Sequence, residues 1–131
     1  MLTSNEAVKT FGDNGGSIIN IGSYASKRPD PYSTVYGASK GAVDSITISL
    51  SQELGPKNIR VNSIQPDGVV TEGVAKLGID VDSDVIKGTI KRCSLGRMAT
   101  PEDIGNTVVF LVSDDASTIT GQFIEVSGVY I

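Results

Sequence analysis

Tyr36 and Lys40 stand four residues apart in the run Val35-Tyr-Gly-Ala-Ser-Lys40-Gly-Ala-Val43. On a helix that spacing places both side chains on one face, within reach of each other. A phenol titrates near roughly 10, too high for a base at neutral pH, and a neighbouring ammonium lowers that value by stabilising the phenolate. The pair is therefore a candidate general acid/base. An exposed tyrosine and lysine with no chemistry share the same spacing, so the pair alone does not decide. Ser23 is the third candidate. The sequence contains no histidine, so a serine here has no imidazole to activate it as an acyl-transfer nucleophile. Its hydroxyl can still donate a hydrogen bond to a carbonyl oxygen. The competing reading of Ser23 is a turn cap, and Ser26 is a second hydroxyl close by.

Composition narrows the classes that remain. With no histidine and a single cysteine, Cys93, there is no internal disulfide and no imidazole or multi-thiolate metal site. No Asp/Glu cluster has ligand-like spacing, so no metal is expected, although a carboxylate-only site stays open. The net charge of −4 argues against a nucleic-acid surface, which needs a basic patch. Lys27-Arg28 and Lys91-Arg92 are too small to form one and read as solvated side chains. No apolar run approaches the roughly 18 residues that cross a bilayer, and the start of the chain lacks a signal-peptide layout. The expectation is a cytoplasmic protein with no membrane contact. Hydrophobic content of 39% with 20% charged residues marks one globular unit, not a disordered chain.

The elements that must position these residues follow from periodicity. Residues 2–11 read as the end of a helix, with Val8 and Phe11 on one face and Gly12 as the stop. Gly16-Ser-Ile-Ile-Asn-Ile-Gly22 is Ile-rich and bounded by glycines, as a buried parallel strand would be. After a loop with Pro29 and Pro31, a long helix runs from about Val35 to Leu54. Its apolar stripe is Val43, Ile46, Leu50 and Leu54, and its small residues, among them Gly37 and Gly41, leave a slim surface. Gly55-Pro56 ends it, Ile59–Ile64 is the second strand, and Pro66 closes that strand. Residues 72–95 are irregular. Thr100-Pro101-Glu102-Asp103 starts a helix by capping, ring geometry and dipole complementarity, with Ile104, Val108, Leu111 and Val112 facing inward. Gly121–Val126 is the last strand. Ser23 then lies at the C-terminal end of a strand, the edge where open α/β sheets bind ligands.

In that context the motifs resemble a known family. Ile18-Ile-Asn-Ile-Gly-Ser23 followed by Tyr36-Gly-Ala-Ser-Lys40-Gly-Ala-Val is similar to the active-site stretch of short-chain dehydrogenases/reductases. Ile59-Arg-Val-Asn-Ser-Ile-Gln-Pro66, Leu95-Gly-Arg-Met-Ala-Thr-Pro-Glu-Asp-Ile104 and Ile119-Thr-Gly-Gln122 resemble later segments of the same family, in the same order. The closest appearance is to ketoacyl-carrier-protein-reductase-like and glucose-dehydrogenase-like members. The resemblance implies a partial Rossmann-type α/β fold, a doubly wound parallel sheet represented by its last three strands with their helices, over residues 1–131. It implies hydride transfer between nicotinamide and an alcohol or ketone, with NAD or NADP as cofactor. Tyr36 would be the acid/base. Lys40 would tune it and meet the nicotinamide ribose, and Ser23 would hold the substrate oxygen. Pro66, Val69 and Thr71 would line the nicotinamide, and residues 72–95 would form a substrate lid.

Several features depart from the family's pattern. No strand followed by a glycine-rich phosphate turn occurs, because Gly12-Asp-Asn-Gly-Gly16 precedes a strand instead of following one. The N-terminal dinucleotide-binding half is thus missing from these residues, and with it the choice between NAD and NADP and the family's catalytic Asn. Asn5 falls too late in its helix to substitute. Asp67 stands where relatives continue with Gly, and Val129 where relatives often have a second Gly. The expectation is a truncated form inactive on its own, with the Ile18–Ile21 strand left as an open edge that favours a homo-oligomer. The alternatives are a non-catalytic remnant acting as an interaction module and one half of a split enzyme.

Overall fold

The structure, a computed structural model, describes residues 2–69, 71 and 83–128. Its helices are α1 (Leu2–Phe11), α2 (Thr34–Leu54), α3 (Asp84–Arg92) and α4 (Pro101–Val112). Three strands, β1 (Gly16–Ile21), β2 (Ile59–Pro66) and β3 (Phe123–Val126), form a parallel sheet in the order β1-β2-β3. This is the expected α/β arrangement, with a helix crossover between successive parallel strands. Residues 72–82 of the expected lid, and Val129, lie outside the described residues. The described remainder of the lid includes a nine-residue helix, α3, whose N-cap Ser83 accepts a hydrogen bond from Ile86 N–H.

Two cores flank the sheet. On one face Leu50 and Leu54 of α2 meet Ile59 and Val61, with Val8, Phe11, Ile18 and Ile46 packed around them. On the other, Ile64, Leu111 and Ala116 are joined by Ile19, Ile104, Val108, Ile124 and Val126. The alternation of side chains along a strand explains the division, since Ile18 and Ile19 of β1, and Val61 and Ile64 of β2, point to opposite faces. Two expectations of inward packing are corrected. Val112 is 49% exposed while Leu111 is wholly buried; successive helical residues point about 100° apart, so both cannot face one sheet. On α2 the buried positions are Gly37, Thr47, Leu50, Ser51 and Leu54, and Val43 is only half-buried. Thr47 is drawn inward because its hydroxyl accepts from Asn20 Nδ2 at 2.9 Å.

The polar residues of β2 tie the layers together. Arg60 donates to Leu111 O at 2.6 Å and Ser113 O at 3.1 Å, closing the C-terminal end of α4. Asn62 donates to Ile119 O and accepts from Gln122 N–H, fixing the approach to β3. Of the small residues expected to give α2 a slim surface, Gly37 is the one that needs it: a Cβ there would lie 2.9 Å from Pro29 Cβ and 3.0 Å from Ala25 O, whereas Gly41 faces open space.

The start of α4 carries the predicted cap in full. Thr100 Oγ1 accepts from Asp103 N–H, and the Asp103 carboxylate accepts from Thr100 N–H. Arg97 adds two hydrogen bonds to the same carboxylate, at 2.6 and 3.2 Å. The Arg97 contact first, and the Thr100 N–H second, hold the Asp103 carboxyl down to about 2. A carboxyl depressed in the folded state stabilises fully above its unfolded value and loses that contribution as pH falls through its folded one. Thermal melts should therefore show Asp103→Asn less stable than the parent at pH 6, with the gap narrowing as pH is lowered from 4 toward about 2.

Candidate active site

The C-terminal ends of β1 and β2 lie side by side, and Gly22 N–H donates to Ile64 O at 2.8 Å across them. The chain then turns sharply. Ser23 has an extended backbone, its Oγ accepts from Ala25 N–H at 3.2 Å, and its carbonyl accepts from Ser26 N–H at 3.0 Å. Ser23 is thus a turn cap and also a cleft residue, because the hydroxyl oxygen takes the backbone proton and its own hydrogen stays available to a ligand. The competing hydroxyl, Ser26, is engaged by Gln65 Nε2 at 3.2 Å.

Before α2, Asp30 O accepts from both Ser33 N–H and Ser33 Oγ–H, at 3.1 and 2.6 Å. The turn has Pro31 at its second position and Tyr32 at its third, where φ is +68°. That is the site glycine ordinarily takes in a type II turn, yet the Tyr32 side chain is fully exposed and packs on nothing that would offset the strain.

Two turns of α2 carry the remaining candidates. Tyr36 is half-exposed. Lys40 Nζ lies 5.7 Å from the Tyr36 ring centroid and donates to Ile21 O at 3.0 Å. An open cleft of about 280 Å³ is lined by Ser23, Asp30, Tyr36, Pro66, Asp67 and Val69, among others. The structure therefore brings Ser23, Tyr36, Pro66 and Val69 to one cavity. Lys40 stands behind Tyr36 and does not line it. Thr71 is exposed and outside its lining. Val69 forms a parallel bridge to Ala99, which ties the loop after β2 to the start of α4. The region is a small cavity at the strand ends, walled by a hydroxyl, a phenol and a proline. A larger open cavity of about 570 Å³, lined by Tyr24, Leu95, Arg97, Asp103 and Glu125 among others, lies elsewhere and includes none of Ser23, Tyr36 and Lys40.

Asp67 is the feature that fits least. Burial first, then the Asp30 and Glu125 carboxylates, push its carboxyl above the ordinary range, while Gly68 N–H and Arg92 pull the other way. Gly68 takes the positive φ (+56°) that this turn needs. Sequence reasoning missed Gln65 and Asp44, whose side chains join that of Ser26 beneath the cleft. Nothing in their spacing marks them; only the crossing of α2 over the tip of β2 does.

A carboxyl raised by folding disfavours its charged form, so stability falls as pH rises from the unfolded value through the folded one. Asp67→Asn should raise the melting temperature at pH 7, and the gain should vanish below about pH 4. Tyr32→Gly should also stabilise, by about 0.5–1 kcal/mol after the extra chain entropy of glycine is counted, read as a melting temperature higher by a few degrees.

Comparisons with known proteins bear on the family and the fold. A family model described as enoyl-(acyl carrier protein) reductase matches residues 1–130. An uncharacterized oxidoreductase of Methylorubrum extorquens is 44% identical over 128 residues, covering 98% of this chain and 51% of the relative. A solved 3-ketoacyl-(acyl-carrier-protein) reductase from Brucella melitensis, complexed with NADH, superposes with a TM-score of 0.84 at 30% identity, over 97% of this chain and 51% of that one. A short-chain type dehydrogenase/reductase from Mycobacterium ulcerans gives 0.78 at 36% identity, over 87% and 41%. The chain spans about half the length of the curated relatives it matches.

Proposed function

Because the chain belongs to the short-chain dehydrogenase/reductase family, we propose that it carries the proton-handling part of an NAD(P)-dependent oxidoreductase acting on an alcohol or ketone. The observation that supports this most is the convergence of Ser23 and Tyr36 on one cleft with the Lys40 ammonium behind the phenol. In the reducing direction, Ser23 Oγ–H donates to the carbonyl oxygen and the Tyr36 hydroxyl delivers a proton to it; in the oxidising direction Tyr36 takes that proton back. Lys40 supplies the positive charge beside the phenol. When bound, the dinucleotide supplies the hydride. Its nicotinamide end would be held by Tyr36, Lys40, Pro66, Val69 and Thr71. A cytoplasmic setting suits a diffusible dinucleotide.

The phosphates of a dinucleotide are gripped by a glycine-rich turn between a strand and a helix. Here the stretch Gly12–Gly16 runs from α1 into β1, the reverse order. We infer that residues 1–131 form the C-terminal catalytic half of a single domain and that these residues alone do not turn over substrate. A second reading draws on the surface. Among the described residues β1 pairs on one side only, and Ile21, Val109 and Phe110 are exposed, which favours a chain that works by association, with itself as a homo-oligomer or with a separately supplied half.

Calorimetric titration of the folded 131-residue chain with NADH and NADPH should give no saturable heat. The same residues fused behind the first half of the Brucella relative should reduce ketones with NAD(P)H, and Tyr36→Phe should lower that rate about 100-fold or more. A fused enzyme that is indifferent to Tyr36→Phe would refute the assignment.

A further inference from the structure

We propose that Gln65 is a positioning residue that locks the Ser23 turn, the Tyr36–Lys40 face of α2 and the loop after Pro66 into one fixed arrangement. The proposal rests on the functional reading above, since those are the three segments it assigns to the chemistry.

Gln65 is wholly buried on the face of β2 that looks at α2. Its Nε2 lies 2.9 and 3.0 Å from the two Asp44 carboxylate oxygens and 3.2 Å from Ser26 Oγ. The amide has two hydrogens. One serves Ser26, and the other is shared across the carboxylate. Asp44 is one helical turn beyond Lys40, on the same face. Ser26 closes the turn that Ser23 opens. Pro66, Asp67 and Val69 follow Gln65 directly in the chain. One side chain therefore touches, or adjoins, the Ser23 turn, α2 and the loop after β2.

The arrangement fixes more than distance. Asp44 decides which way the amide faces, because the reversed amide would set its oxygen against a carboxylate. Gln65 Oε1 and Ser63 Oγ, both on the same strand face, have no hydrogen-bond partner among the described residues. A core built only for stability would place an apolar side chain at such a position. Gly22 is part of the same junction: a Cβ there would fall 2.6 Å from Ser63 Oγ and 3.4 Å from Gln65 Cγ. The end of β1 thus descends onto these two side chains, and the residue after Gly22 is Ser23. The Asn20–Thr47 hydrogen bond, at 2.9 Å, crosses the same interface but touches neither the Ser23 turn nor the loop after Pro66.

Amide hydrogen exchange on the 131-residue chain tests the proposal without any dinucleotide. The Ala25 and Ser26 amides bond to Ser23 Oγ and Ser23 O and so report the turn directly. In Gln65→Leu they should exchange about tenfold faster, while Ile18 and Leu111 change far less. Gln65→Glu alone should loosen the turn as much, by setting two carboxylates together. Gln65→Glu combined with Asp44→Asn reverses donor and acceptor and should restore protection. Thr47→Val should alter all these amides by a common factor. A uniform change in Gln65→Leu, unaltered Ala25 and Ser26, or failure of the paired exchange to restore them would overturn the proposal. A fused enzyme lacking reductase activity would count against the functional reading alone and leave the exchange result standing.

Discussion

The central strand of the sheet, β2, is shared by both cores. The strand is buried on both faces, and each of its side chains from Val61 to Gln65 is wholly inaccessible. A strand so enclosed has no freedom to slip, because a one-residue shift would turn Val61 and Ile64 into the wrong cores. Its polar residues add direction to that constraint. Arg60 holds the end of α4, Asn62 holds the approach to β3, and Gln65 holds α2 and the Ser23 turn. The hydrophobic burial is non-directional and could be met by several packings. The hydrogen bonds select one among them.

The site inherits its order from this strand and its tension from one residue beyond it. Parallel strands end together, so Ser23 after β1 and Pro66 after β2 open on the same cleft. Tyr36 reaches that cleft because Gly37 lets the first turn of α2 press against Pro29 and Ala25. Asp67 then places a half-buried carboxylate among these groups, with Asp30 beside it. Its ionised form costs free energy in the folded state, so the position trades stability for charge. A neutral residue at this position would remove that cost.

Much of this was legible from the amino acids, and the parts that were not share a cause. The Ile-rich β1, the run after Ile59 and the Thr100 cap are local patterns, and local patterns survive in a linear reading. The bond between Gln65 and Asp44 joins residues 21 apart, both of ordinary polar type, and depends on how a helix crosses a strand. The raised carboxyl of Asp67 depends first on its burial and then on Asp30 and Glu125, from two further segments. Val112 looked apolar and periodic, yet it points outward because its helical neighbour Leu111 takes the buried position. Tyr32 shows the limit from the other side: Pro31 announces a turn, but the sequence puts a tyrosine where the turn asks for glycine.

Lys40 sits at the seam between what the sheet completes and what it leaves open. Gly22 N–H points toward β2, where Ile64 O receives it. Along a strand successive backbone groups alternate in direction, so the carbonyl of Ile21 points away from β2, to the open edge. Lys40 Nζ meets that carbonyl at 3.0 Å. The lysine is therefore anchored by the backbone of the edge strand and not by a carboxylate, and its charge is not neutralised by the contact. An ammonium held this way keeps its field for the phenol beside it and for any polar group brought to the β1 edge. The arrangement of Ser23, Tyr36 and Lys40 is thus set by contacts within residues 21–65.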